Sequence, residues 1–278
     1  MNPFKITEPT CISFSGGRTS AYMLYRVLEA HDMSLPEEAV VCFANTGKED
    51  EATLKFVHDC ETHWNVPIVW LEFQMHEESS KRFKVVTYET ASRNGEPFEA
   101  VIKMKNYLPN PVTRFCTIEM KIRTISNYLH SIGMTDTRSH GETMSWVGIR
   151  ADEPRRLAKI GRDRAPLAAA GVTKETIAEF WKQQDFDLGL PNINGVTYHG
   201  NCDLCFLKGQ SQIFSLIREK PERAIWWAKM EATSSASKTS GDVFRQDRPS
   251  YAQMLKFSQE QTDMFMGEDE AIACFCGD

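Results

Sequence analysis

A short β-branched and aromatic run, Thr10-Cys11-Ile12-Ser13-Phe14, breaks through Ser15-Gly16-Gly17-Arg18-Thr19-Ser20 directly into Ala21-Tyr22-Met23-Leu24-Tyr25-Arg26-Val27-Leu28. The first run reads as a buried strand, and the last carries apolar residues at helical spacing. A strand that passes through two glycines into a helix leaves the first N–H groups of that helix unpaired and pointing outward. With the helix dipole behind them, those donors form a site for phosphate or pyrophosphate. A Cβ would hold the anion off the backbone, and such nests need φ > 0, so the glycines are required. Ser15, Thr19 and Ser20 add hydroxyl donors and Arg18 a positive charge. Taken alone, the hexapeptide also describes an ordinary tight turn capped by Ser and Thr. It is neither the Walker loop nor the Gly-x-Gly-x-x-Gly dinucleotide turn.

The alternation of strands and helices continues. Residues 39–44 read as a second strand ending at Asn45-Thr46-Gly47, residues 51–64 as a helix, and residues 66–73 as a third strand. Residues 116–132 read as a helix and 145–149 as a fourth strand. This order predicts an α/β fold: βαβ units, a parallel sheet and helices on both faces. Ligands collect at the carboxyl ends of such strands, where Ser15–Ser20, Asn45–Gly47 and Arg150–Arg156 fall. From about Pro166 the pattern changes. A helix from Thr173 through Trp181, a loop-like stretch from Asp185 to Asn201, a helix from Ile213 to Met230, a Ser/Thr-rich connector over 232–240 and a helix around 251–257 follow. The expected division is therefore a nucleotide-binding domain over 1–165 and a mostly helical, cysteine-containing region over 166–278. No internal repeat is present.

The 278 residues carry a formal charge of −6, which argues against bulk attraction to nucleic acid. Two local groups run the other way: Arg150, Arg155, Arg156, Lys159, Arg162 and Arg164, and Arg114, Lys121 and Arg123. They leave a nucleic-acid substrate open, although a solvated charged face has the same composition. No apolar run approaches the roughly 20 residues that span a bilayer, and the first residues lack the apolar core of a signal peptide. A cytoplasmic protein without membrane attachment is expected. Its eight cysteines should then be mostly thiols. Cys11, Cys42 and Cys60 fit apolar patterns and read as small core residues.

Four segments in register carry a resemblance. Ser15-Gly16-Gly17-Arg18-Thr19-Ser20 is similar to the pyrophosphate loop of the PP-loop superfamily (adenine nucleotide alpha-hydrolase fold). Phe43-Ala44-Asn45-Thr46-Gly47 with Glu51 to Val57, Arg114-Phe115-Cys116-Thr117 to Ile122, and Gly148-Ile149-Arg150-Ala151-Asp152-Glu153-Pro154-Arg155-Arg156 resemble its phosphoadenylyl-sulfate reductase branch. Together they cover roughly residues 10–210. The resemblance implies that Ser15, Gly16, Gly17, Thr19 and Ser20 hold phosphate or sulfate oxygens and that Thr46 and Gly47 lie near adenosine. It also implies that Arg150, Arg155 and Arg156 face the anionic end of the substrate, where planar guanidinium suits phosphate or sulfate. The chain departs from the pattern at Arg18-Thr19, where Lys-Asp is typical; the loop stays cationic. Asn45 replaces a frequent carboxylate and would hydrogen-bond a base or ribose.

Cys202-x-x-Cys205 can chelate one metal or cluster from a tight turn. In the cluster-bearing adenylyl-sulfate reductases the resemblance brings in, a Cys-Cys pair sits where this chain has Phe115-Cys116. Cys116, Cys202 and Cys205 thus match three of four [4Fe–4S] ligands. Phe115 cannot bind iron, so Cys274 or Cys276 completes the site, or one iron stays open. Structural zinc with a tail cysteine or His199 is the alternative, and no metal a further one. Cys276-Gly277 is also similar to the tail nucleophile of the reductases, but Glu268, Asp269, Glu270 and Asp278 surround it and favour the neutral thiol. A ligand role, drawn here for Cys274, is preferred over a nucleophilic one for Cys276. Two chemistries are implied. In one, ATP bound with magnesium adenylates a substrate; in the other, an adenylyl sulfate is reduced with a thioredoxin-like partner. A sulfur donor and a homodimer are compatible with both, and a metal-stabilised nucleotide-binding module without catalysis is the alternative.

Overall fold

Four of the five residues of β1 (Thr10–Phe14) are buried, on both faces of the strand, the pattern of a strand covered on both sides. The computed structural model describes residues 2–134, 144–193, 196–235 and 242–260. β1 leads into α1 (Arg18–Ala30), then β2 (Ala39–Asn45), α2 (Glu51–His63) and β3 (Ile68–Glu72). A short β4 (Lys84–Val86) turns back antiparallel along β3, and β5 (Met144–Val147) joins the other side of β1. The sheet order is β4-β3-β2-β1-β5, with every pair but β3–β4 parallel. The α/β class and the parallel sheet match the expectation from sequence, with strand ends shifted by at most two residues.

Period-two alternation sends the side chains to two layers. Ile12, Phe14, Val41, Phe43, Ile68 and Trp70 face α1 and α2 in one cluster. Cys11, Cys42, Ala44 and Leu71 face Ile125 and Leu129 on the opposite side. Cys11, Cys42 and Cys60 are the core residues their patterns predicted.

The rest of the described chain is mostly helical. α3 (Glu96–Lys105) is followed by α4 (Phe115–Thr117), a π-helical stretch (Ile118–Arg123) and α5 (Thr124–Ser131). After β5 come α6 (Pro154–Ile160), α7 (Pro166–Ala169) and α8 (Lys174–Lys182). The loop-like stretch after Asp185 contains a small hairpin, β6 (Asn192–Ile193) and β7 (Val196–Thr197). α9 (Gln210–Glu219), α10 (Arg223–Ser235) and α11 (Tyr251–Glu260) close the described chain.

The apolar clusters do not divide at 165/166. Leu167, Val172, Ile177, Trp181, Leu188 and Leu190 belong to the same cluster as α1 and α2. In turn Phe73, Phe98, Phe115 and Met120 pack with Phe206, Ile213, Trp227, Phe244 and Tyr251. The division into 1–165 and 166–278 follows a change of composition; the burial crosses it in both directions. Among the described residues no helix is long and apolar enough to cross a membrane.

Candidate nucleotide and thiol site

β1 is the switch point of the sheet: the chain leaves it toward β2 on one side and returns to it as β5 on the other. Loops at the carboxyl ends of such strands splay apart and leave a crevice. The turn that begins there is Ser15-Gly16-Gly17. Gly16 has φ +79°, and a Cβ on it would lie 2.7 Å from Thr53 Cγ2, so only glycine fits. Gly17 is the extended N-cap of α1, which has no side-chain cap and no acidic residue in its first turn. The hydroxyls tighten the turn from within. Ser20 Oγ accepts from the Ser15 N–H at 3.2 Å and donates to the Gly17 carbonyl at 2.9 Å, and it lies 2.9 Å from Ser15 Oγ. A shallow recess open to solvent lies over Ser15, Gly16 and Gly17, walled opposite by Thr197, Gly200 and Asn201.

Arg18 behaves differently from the expectation of a cation held over this loop. Its Nε and Nη2 donate to the two carboxylate oxygens of Asp187 at 2.7 and 2.5 Å, and Nη2 also reaches the Leu190 carbonyl at 3.0 Å. Its carbonyl accepts from Trp181 Nε1 at 3.0 Å. The side chain is 11% exposed, and a guanidinium so buried needs its countercharge. Burial raises the Asp187 carboxyl, but the hydrogen bonds and charge of Arg18 outweigh it and hold the group below its ordinary range. Arg18 therefore straps the segment after α8 to the loop.

Asn45 is also turned inward. Its amide donates to Glu72 Oε1 at 2.7 Å and the Ser92 carbonyl at 2.8 Å, and its Oδ1 accepts from the Gly47 N–H at 3.0 Å. The residue is fully buried, so its side chain braces the carboxyl end of β2 and does not face a base or ribose. Gly47, at φ +75°, packs against the backbone of Gly95. Thr46 donates its N–H and hydroxyl to the Glu49 carboxylate, and its Oγ1 lies 3.5 Å from Cys202 Sγ.

From β5 the structure brings Arg150 to the loop. Its Nη1 lies 3.4 Å from Thr19 Oγ1, and its Nε donates to Asp152 at 2.9 Å. Arg156 reaches the same place indirectly: Glu153 accepts from the Arg150 N–H and from Arg156 Nη1. Arg155 is exposed on α6 and is not brought to the loop. A second shallow recess lies between Arg18, Thr19, Arg150, Lys174, Asn192 and Thr197.

The Cys202–Cys205 turn docks on the segment after β2. Cys202 bridges Glu49 in antiparallel fashion, the Asp203 N–H donates to the Lys48 carbonyl at 2.7 Å, and the Cys205 N–H donates to the Cys202 carbonyl at 3.2 Å. Between the cysteines, Asp203 pairs with Lys48 Nζ at 3.0 Å and accepts from Leu204 N and Trp227 Nε1. Cys205 belongs to the second apolar cluster, and Cys116 and Cys202 pack against it. Burial pushes the Cys202 thiol up, reinforced by Glu49 and Cys205, while Lys121 and the Thr46 hydroxyl act the other way. Among the described residues no group of three or more His, Cys, Asp or Glu is placed to hold one metal ion. His199 Nε2 lies 2.6 Å from Glu219. Cys274 and Cys276 lie outside the described residues.

Sequence patterns alone missed Asp187, Lys48, Asp203, Lys174 and Thr197. Lys48 and Asp203 had a usable signal, opposite charges inside two motif-bearing segments. Asp187 and Lys174 had none.

No family model matches the chain. It is 31% identical over 207 residues to an uncharacterized nin region protein, ORF290, of Escherichia phage lambda, an alignment covering 73% of this chain and 67% of the phage protein. It is 36% identical over 150 residues to an uncharacterized protein of Methanocaldococcus jannaschii, covering 54% of this chain but only 24% of the archaeal protein.

Proposed function

The chain belongs to the family of the phage lambda nin region protein ORF290, and from that premise we propose that it is a nucleotide-dependent enzyme of the PP-loop kind. One observation carries the reading. At the switch point of a parallel sheet, a glycine at φ +79° leads into an uncapped helix with no acid in its first turn, beneath a shallow recess open to solvent. That is the arrangement that receives phosphate oxygens on backbone N–H groups.

The substrate is an adenine nucleotide, and the reaction favoured is attack of an acceptor on the α-phosphate of ATP with release of pyrophosphate. In it the N–H groups at the start of α1 and the Ser15 and Thr19 hydroxyls hold the leaving pyrophosphate. Arg150, beside Thr19, faces the charge that develops. Magnesium bound with the nucleotide would screen the phosphate charge. Gly17→Val places a side chain at the loop and should abolish pyrophosphate release from ATP. Unchanged release by that variant, in folded protein, overturns the assignment.

The thiols are proposed to hold a [4Fe–4S] cluster through Cys116, Cys202 and Cys205, with Cys274 or an open iron at the fourth position. The described donors are sulfur, which suits iron–sulfur sites; His199 meets Glu219 through Nε2 and leaves its buried Nδ1 without a hydrogen-bond partner, so it stays the candidate for the zinc alternative. The cluster would supply electrons or hold sulfur beside the nucleotide. Protein purified without oxygen should absorb near about 400 nm and carry roughly four irons per chain. Stoichiometric zinc without iron would defeat the cluster assignment. A cytoplasmic location fits a chain that needs its thiols reduced.

A second reading, a nucleotide-binding module without catalysis, draws on the inward commitment of Arg18 and Asn45. Nucleotide binding with no turnover of ATP or an adenylyl sulfate would select it.

A further inference from the structure

The second recess is lined by three cations, Arg18, Arg150 and Lys174, and three neutral polar side chains, Thr19, Asn192 and Thr197; no carboxylate is among its lining residues. Arg18 is neutralised by Asp187 and Arg150 is paired with Asp152 from outside the recess. Lys174 is exposed, with Glu175 no nearer than 3.9 Å. The nucleotide reading uses only the Thr19–Arg150 side of this recess, and Lys174 and Asn192 on its other side have no part in it.

From the rim at Arg150 the chain continues into α6. Leu157 and Ile160, three residues apart, pack against Ile149, Ala165 and Ala168. Helical geometry then turns the opposite face outward. Arg155 and Lys159, four apart, stand exposed on it, and Arg162 follows, also exposed. Two further cations hold the segment itself: Arg156 bonds Glu153, and Arg164 bonds the Ser145 carbonyl. Between 154 and 164 five cations stand against one acid, Asp163, in a chain whose formal charge is −6. Positive charge is thus concentrated along this edge of the sheet, beside a cation-lined recess. Two exposed cations one helical turn apart, with a third just past the end of the helix, match a repeating phosphate chain better than a single small anion.

We propose that the β5 edge binds nucleic acid, its phosphodiester backbone following Arg155, Lys159 and Arg162 and one phosphate entering the recess at Lys174. This places a nucleic-acid strand next to the nucleotide recess. Only its position as a neighbour of bound nucleotide rests on the function proposed above; the binding itself does not.

The test is fluorescence anisotropy with labelled single-stranded DNA, the same sequence as duplex, and the same sequence as RNA, each titrated without ATP. Binding on the order of micromolar at about 50 mM salt is expected for at least one probe, with log affinity falling linearly in log salt. Lys159→Glu/Arg162→Glu should weaken it about tenfold or more and flatten the salt slope by about two, with the urea midpoint and ATP affinity unchanged. Lys174→Glu should weaken it independently. Absence of binding to all three probes overturns the proposal. So does equal affinity and slope in the double variant, or tighter binding to vesicles of anionic phospholipid than to any nucleic acid. ATP affinity, measured separately, keeps the two assignments apart. Loss of ATP binding with nucleic-acid binding intact defeats only the nucleotide reading, and the converse defeats only this one.

Discussion

Individual side chains in this molecule do different work from what their motif positions imply. Gly16 met its expectation because the requirement lies in the backbone, and a turn needing φ > 0 leaves its mark in the local sequence. Arg18 did not, because its partner Asp187 is 169 residues away in a stretch with no periodic pattern to place it. The pair makes a pH prediction. Asp187 titrates below its ordinary value in the folded chain, so its contribution is fully present above the unfolded value near about 3.9 and is lost as pH falls through the folded one. The Asp187 side chain is 38% exposed, so solvent screening limits the effect to about 1 kcal/mol. Asp187→Asn should lower the urea midpoint at pH 7, and the gap to the parent chain should close below about pH 4. A gap independent of pH would show that the charge is not what matters.

Between neighbouring elements, the firmest joint is the one that locks the Cys202–Cys205 turn to the end of β2. Lys48 and Asp203 are 8% and 9% exposed, respectively. Lys48 also lies 5.2 Å from the centre of the Trp226 ring, and Trp226 closes over Gly95. Removing one member of a buried pair leaves the other charged and uncompensated, at a cost of about 3 kcal/mol or more. Lys48→Ala should therefore shift the urea midpoint strongly, and Asp203→Asn, which can still accept from Leu204 N and Trp227 Nε1, should shift it less. Equal midpoints for Lys48→Ala and the parent would refute the assignment. Elements with a two- or 3.6-residue period, such as β2 and α2, could be read directly from the chain. The docking of Cys202 on Glu49 could not, because a pairing between segments so distant in sequence has no periodic trace.

As a whole, the molecule is built around apolar clusters that ignore the compositional boundary at 165/166. α8 and the segment after it complete the layer over α1, and Phe115 and Met120 complete the layer under α9 to α11. A chain ending at residue 165 would expose the underside of α1 and the third of the second cluster that it retains. It should lack a cooperative transition by far-UV circular dichroism, while the full chain unfolds in one step with coincident fluorescence and dichroism. A cooperative transition in the shortened chain would restore the two-domain division. The π-helical stretch sets one further constraint on the whole. Before it, Phe115 and Cys116 look into the second cluster; after it, Ile125 and Leu129 look onto the sheet. Its carbonyl at Glu119 is taken up by the Thr124 hydroxyl at 2.8 Å. A π turn holds one residue more than an α turn, and each residue of an α-helix rotates the next by about 100°. Winding the same residues as a regular α-helix would swing Cys116 about 100° out of phase with Ile125, whereas losing one residue together with the π turn would keep the two in phase. Among descendants of this chain the stretch can vary at its exposed positions, Ile118 and Ile122, but its length and its π turn can change only together.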